Sequence, residues 1–111
     1  MDPAFSADHV FAALADATRR DIVLRALGGR EGVAELAGHS PMSFAAVQKH
    51  VAVLERAGLV TKQRSGRRQV VRTNIEGLRQ AGSLLDQYET LWRSRIERMT
   101  DLITSNEETD Q

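Results

Sequence analysis

The chain is expected to fold as a mainly α domain with one small two-stranded β-hairpin, in the order four helices, two strands, one long helix. Three observations point there. Residues 43–74, SFAAVQKHVAVLERAGLVTKQRSGRRQVVRTN, read as one helix leading straight into a hairpin. Upstream, residues 6–38 hold three short helical stretches, the second and third closed by glycine. Downstream, apolar residues step by threes and fours from about Glu76 to Ile103 without a break.

Ser6 is placed to cap a first helix that carries Val10, Phe11 and Leu14 on one side and stops near Ala15-Asp16. Asp16 is the N-cap of a second helix, Ala17 to about Leu27, with Ile22, Val23, Ala26 and Leu27 as its apolar face and Gly28-Gly29 at its end. Val33-Ala34-Glu35-Leu36-Ala37 fits a third helix closed by Gly38, and His39-Ser40-Pro41-Met42 is the turn into the fourth. The fourth starts at the N-cap Ser43. Its Val47, Val51 and Leu54 point to a core, whereas Phe44, Ala45, Gln48, Lys49 and Ala52 point outward. Gly58 stands where a left-handed residue should end it. Leu59-Val60-Thr61 opens a β-rich run, Ser65-Gly66 supplies a turn, and Gln69-Val70-Val71-Arg72-Thr73 returns. Third helix, tight turn and fourth helix form a helix-turn-helix, and the hairpin behind it is a wing.

The last helix carries Leu78, Ala81, Leu85, Tyr88, Trp92, Ile96, Met99 and Ile103, with Leu84, Leu91 and Leu102 widening the stripe. A helix of about 28 residues is about 42 Å long. A compact domain of about 100 residues has a radius of gyration of only about 13 Å. Part of the stripe must therefore face something besides its own core. The economical occupant is the same helix of a second copy, giving a homodimer through the first and last helices, with Val10, Phe11, Leu85, Tyr88, Trp92, Ile96 and Met99 in the interface. The alternative is a helix folded entirely onto its own core. Residues 1–104 are expected to form the single domain, and 105–111 a flexible acidic tail.

Charge is unevenly placed. The formal net charge is zero, yet residues 43–74 carry Lys49, Arg56, Lys62, Arg64, Arg67, Arg68 and Arg72 against Glu55, a local excess of +6 between two acidic flanks. Such a field suits a polyanion. A solvated hairpin with ordinary surface arginines is the bland alternative; joined to a helix-then-hairpin pattern, the run favours nucleic acid. The absence of cysteine excludes disulfides, thiolate metal sites and thiol redox sensing. No apolar run approaches bilayer length, and acids stand where an export signal would be basic, so a cytoplasmic protein is expected. No nucleophile–base pair, phosphate loop or ligand cluster appears at workable spacing, which argues against an enzyme. No cofactor or metal is expected.

For double-stranded DNA the expected contacts are Gln48 and Lys49, with Ser43 and Ala45, at base edges of the major groove. Arg64, Arg67, Arg68 and Arg72 in the wing would hold phosphates or enter the minor groove. Among His9, His39 and His50, His50 lies on the reading helix, where it either touches a phosphate when protonated or leans on the wing. Phe44 either meets a thymine methyl or packs on the turn. Arg19 and Arg20 either meet a phosphate or pair with Asp16 and Asp21. A rival reading, a winged-helix module that binds protein instead of DNA, requires an exposed apolar patch on that helix.

From about Val10 to Met99 the chain resembles the ArsR-type family of winged-helix transcription regulators. The residues that carry the likeness are Phe11-Ala12-Ala13-Leu14-Ala15-Asp16-Ala17-Thr18-Arg19-Arg20-Asp21-Ile22-Val23, Glu35-Leu36-Ala37, Met42-Ser43 through Val47-Gln48-Lys49-His50-Val51, and Leu54-Glu55-Arg56-Ala57-Gly58-Leu59-Val60. Where members commonly read Leu-Ala-Asp-Pro-Thr-Arg, this chain has Ala17 in place of the proline. The resemblance implies a homodimer that binds imperfect inverted repeats in promoter DNA and usually represses. It also implies, in metal-sensing members, a cysteine pair that would fall at Ala37 and His39. The last helix has no histidine, so Asp86 and Glu89 lack imidazole partners there. The chain looks closer to a branch with Tyr and Trp in the last helix and no known inducer site; no small-molecule inducer can be named from the sequence.

Overall fold

Local capping chemistry decides where the helices begin. In the computed structural model, which describes the backbone of residues 6–109 and the side chains of 6–104, α1 is Ala7–Leu14, α2 Ala17–Arg25, α3 Val33–Ala37, α4 Phe44–Arg56, β1 Val60–Ser65, β2 Arg68–Thr73 and α5 Ile75–Thr109. The Ser6 hydroxyl accepts from the His9 N–H at 3.4 Å, the Asp16 carboxylate from Arg19 N–H at 3.0 Å, and the Ser43 hydroxyl from Ala46 N–H at 3.2 Å. Each satisfies one of the orphan donors of a first helical turn. Gly58 closes α4 with φ of 77°, in the left-handed region.

Val10 and Ala13 of α1, Ile22 and Val23 of α2, Leu36 of α3, and Val47, Val51 and Leu54 of α4 meet in one core with Leu59, Val60, Val71 and Ala81. Val10 is completely buried there, so it cannot present its side chain to a second copy as expected; Phe11, its neighbour, is half-buried. Leu27 also departs from expectation. Helix α2 gives way at Ala26–Gly28 to a 3-10 turn, and the change from 3.6 to 3.0 residues per turn swings Leu27 off the stripe that Ile22, Val23 and Ala26 bury, leaving it 50% exposed.

The strands pair antiparallel with Val60 opposite Thr73 and Ser65 opposite Arg68. A two-residue loop, Gly66-Arg67, joins them; positive φ at Gly66 (64°) matches the glycine-first turn that suits strand twist. At the hairpin's base the buried Thr73 hydroxyl donates to the Val23 carbonyl at 2.6 Å, tying β2 to α2. Asn74 then joins three elements. Its N–H donates to Leu59 O at 2.8 Å, its Nδ2 to Gly58 O at 2.9 Å, and its Oδ1 accepts from Glu76 N–H at 3.2 Å. This draws the first turn of α5 onto the end of α4. A Cβ at Gly77 would sit 2.2 Å from the Gly58 carbonyl oxygen, so only glycine fits.

The chain divides into two units, up to Ala81 and from Gly82 onward. The second is the remainder of α5. Its Leu85, Trp92 and Met99 recur every seven residues, Tyr88 and Leu102 fill the intermediate turns, and Ile96 and Ile103 widen the row. All are exposed, Tyr88 at 59% and Trp92 at 64%. Ser105–Thr109, expected in a tail, continue the helix, whereas Asp110 and Gln111 of that expected tail lie outside the described residues. Among the described residues no helix is long and apolar enough to cross a membrane.

Candidate nucleic-acid interface

The turn between α3 and α4 is held by its own backbone: His39 N–H donates to Leu36 O and Ser40 N–H to Ala37 O, both at 3.2 Å, and Met42 N–H donates to the Ser40 hydroxyl at 3.2 Å. With α4 so placed, its apolar stripe fixes what remains outside. At one turn per 3.6 residues, Phe44, Ala45, Gln48, Lys49 and Ala52 fan over an arc of about 140°. Phe44, Ala45, Gln48 and Lys49 are exposed; Ala52, expected outside, is half-buried. Phe44 is 51% exposed and stands alone as a large apolar group on that face. Ser43 spends one oxygen lone pair on the cap, and its hydroxyl proton remains free to donate.

His50 is not on this face. It points about 170° from the centre of the arc, and its Nδ1 lies 3.3 Å from Arg19 Nη1. A guanidinium can only donate, so the imidazole Nδ1 is the acceptor in this contact, with the ring turned inward toward α2. The structure thus turns His50, expected either at a phosphate or against the wing, toward Arg19 and away from the arc that carries Gln48 and Lys49. Arg19 and Arg20 also resolve differently from both readings open in the sequence. Arg19 Nε donates to Ala13 O at 2.7 Å and Nη2 to Ala12 O at 3.1 Å, and Arg20 Nη1 donates to Leu14 O at 2.8 Å. Together they satisfy the last carbonyls of α1, while Asp16 caps α2 in the opposite direction. The Arg19 N–H at that cap holds the Asp16 carboxyl below the usual carboxylate range, and the positive charge of Arg19 adds to the effect.

Strand alternation sorts the hairpin cations. Paired residues share a face, so Lys62 and Arg64 lie on one side, across from Val71 and Gln69, and Arg68 and Arg72 on the other. Arg67 is in the turn. Lys62, absent from the sequence candidates, joins Arg64 through this i, i+2 spacing, a signal that was present in the sequence. Arg68 stands apart from the rest. Its Nη2 pairs with the Glu35 carboxylate of α3 and donates to Arg30 O at 3.3 Å. Among the described residues Lys49, Lys62, Arg64, Arg67 and Arg72 form no ion pair. The surface thus offers amide and ammonium donors on α4 and unneutralised cations on the hairpin, a set that suits phosphates and base edges.

Among known proteins the chain is 38% identical over 100 residues to HTH-type transcriptional regulator Rv2034 of Mycobacterium tuberculosis, covering 90% of this chain and 91% of that protein. The crystal structure of an ArsR family transcriptional regulator, RHA00566, matches with a TM-score of 0.70 and 31% identity over 78% of this chain and 90% of that one. The chain belongs to the ArsR family of transcriptional regulators. An ArsR-like transcriptional regulator from Rhodococcus sp. RHA1 matches at a TM-score of 0.78 and 28% identity, over 86% of this chain and 91% of the other. No family model matches the chain. This is a family of regulators, not of enzymes.

As an ArsR-family regulator the chain departs from the metal-sensing pattern in its chemistry. Ala37 offers no ligand, and the His39 imidazole is engaged with Glu31, Nε2 to Oε2 at 2.9 Å. Without thiolates at these positions the α3 region does not fit a transition metal.

Proposed function

We propose that this ArsR-family regulator acts in the cytoplasm as a homodimeric repressor that binds an inverted-repeat operator in double-stranded promoter DNA. Two copies would set their α4 helices in successive major grooves about 34 Å apart. Gln48 and Lys49, flanked by Ser43 and Ala45, read base edges; Lys62, Arg64, Arg67 and Arg72 hold backbone phosphates. The observation that carries this reading is the set of donors on α4 and the hairpin that no acid among the described residues neutralises. The dimer reading rests on the exposed row Leu85, Tyr88, Trp92, Ile96 and Met99, an apolar face longer than the scattered single residues of an ordinary surface. Phe11 of α1 remains a candidate at its margin. The exposed face of α4 is too polar, with Phe44 its one large apolar group, for a module that docks on protein.

Selection of bound duplexes from a random pool by the purified full chain tests this. A palindromic consensus with half-sites one helical turn apart is expected. Failure to enrich any sequence, with binding insensitive to salt, would refute DNA recognition.

A further inference from the structure

The segment between α2 and α3 lies along the outer edge of β2. The Glu31 carbonyl accepts from Val71 N–H at 2.8 Å, and the Arg30 carbonyl from Arg68 Nη2 at 3.3 Å. Gly32 comes so close to the strand that a Cβ there would stand 2.8 Å from Gln69 O. One turn further on, Glu35 meets the Arg68 guanidinium. Arg68 and Arg72 occupy the same strand face four residues apart, yet only Arg68 is given an acid. Both acceptors, the Glu35 carboxylate and the Arg30 carbonyl, are met by Nη2, and the carboxylate supplies the anionic oxygen that a phosphate would otherwise offer.

We infer that Glu35 is a positioning residue that withholds Arg68 from DNA and so restrains the affinity of the hairpin for duplexes of any sequence. The inference rests on the reading that the hairpin meets DNA. Both partners are about half-exposed, at 56% and 47%. A pair of this kind biases an equilibrium by about fivefold at most, enough to tune sequence-independent binding and too little to govern folding. The restraint matters because phosphate contacts add affinity without information about sequence.

The test is binding of a random-sequence duplex by the full chain across a salt titration, read by fluorescence anisotropy, for Glu35→Gln, Arg68→Ala, the double variant, and Arg64→Ala. Glu35→Gln should bind roughly three- to fivefold tighter, with a salt slope steeper by about 0.9 per protomer. That gain should vanish when Arg68→Ala is added. An unchanged slope in Glu35→Gln would overturn the inference. So would a gain that persists without Arg68, because Glu35 would then act by general repulsion. If Arg64→Ala also leaves the slope of the wild-type chain unchanged, the hairpin does not meet DNA, and the underlying reading falls with the inference.

Discussion

Replacing Gly77 by alanine should unfold the regulator more easily, although alanine is the better helix former. On propensity alone the change would stabilise α5 by about 0.8–1 kcal/mol. A new Cβ would however lie 2.2 Å from the Gly58 carbonyl oxygen and 3.1 Å from its carbon, both backbone atoms that cannot rotate aside. A carbon and a carbonyl oxygen approach to about 3.3 Å, so the first turn of α5 must retreat by on the order of 1 Å. That retreat would carry the Asn74 bonds to Gly58 O and Leu59 O, now 2.9 and 2.8 Å, beyond hydrogen-bond range. With about 0.5–1.5 kcal/mol for each bond and about 1–3 kcal/mol for overpacking, largely alternative costs, the net loss after the propensity gain is about 1 kcal/mol. In a domain of this size that lowers Tm by roughly 4 °C. Gly82 lies in the same helix with nothing within 4 Å of its Cβ position. Gly82→Ala is the matched control and should melt at or above wild type. Thermal and urea unfolding followed by circular dichroism, at one fixed protomer concentration, measures both. Gly77→Ala melting as high as Gly82→Ala would refute the close-approach argument.

Three other outcomes are expected. Gln48→Ala should cost about 1–3 kcal/mol of discrimination among operator variants and leave binding to random duplex unchanged, as measured by competition; an equal loss on both removes Gln48 from base reading. Trp92→Ala together with Tyr88→Ala should weaken self-association by about thirtyfold or more if these are anchor residues, seen as a shift toward monomer in sedimentation. The depressed carboxyl of Asp16 contributes stability that is complete above the ordinary carboxylate range and is lost as pH falls through its lower folded value. Asp16→Asn keeps a capping oxygen but cannot titrate, so its acid unfolding curve should lose part of the decline that wild type shows below about pH 4; superimposable curves would contradict this.

What could be read from the chain was what is local. Ser6, Asp16, Ser43 and Gly58 act within a few residues of themselves, and each cap formed where its residue type predicts. His50 was legible too: it follows Val47 by three and precedes Leu54 by four, which places it beside the buried stripe and not on the reading face. Val10 failed for a related reason, because a single helix carries both a core-facing and an outward apolar row, and sequence alone does not say which residue belongs to which. Leu27 was lost to a change of helical pitch. The partnership of Arg68 with Glu35 spans a stretch with no periodicity connecting them. Only the packing of the segment before α3 against β2 brings them together, and no short-range pattern encodes that.

The separation of tasks along α4 has a consequence for how such regulators diversify. Val47, Val51 and Leu54 anchor the helix, Ser43 starts it and His50 braces it from behind. Among the described residues Ala45, Gln48 and Lys49 take part in no side-chain hydrogen bond or ion pair within the molecule. On the proposed reading of α4, a duplicated copy acquires a new DNA address by exchanging these three side chains while its scaffolding stays intact, and transplanting a relative's residues onto these positions is the economical way to retarget it.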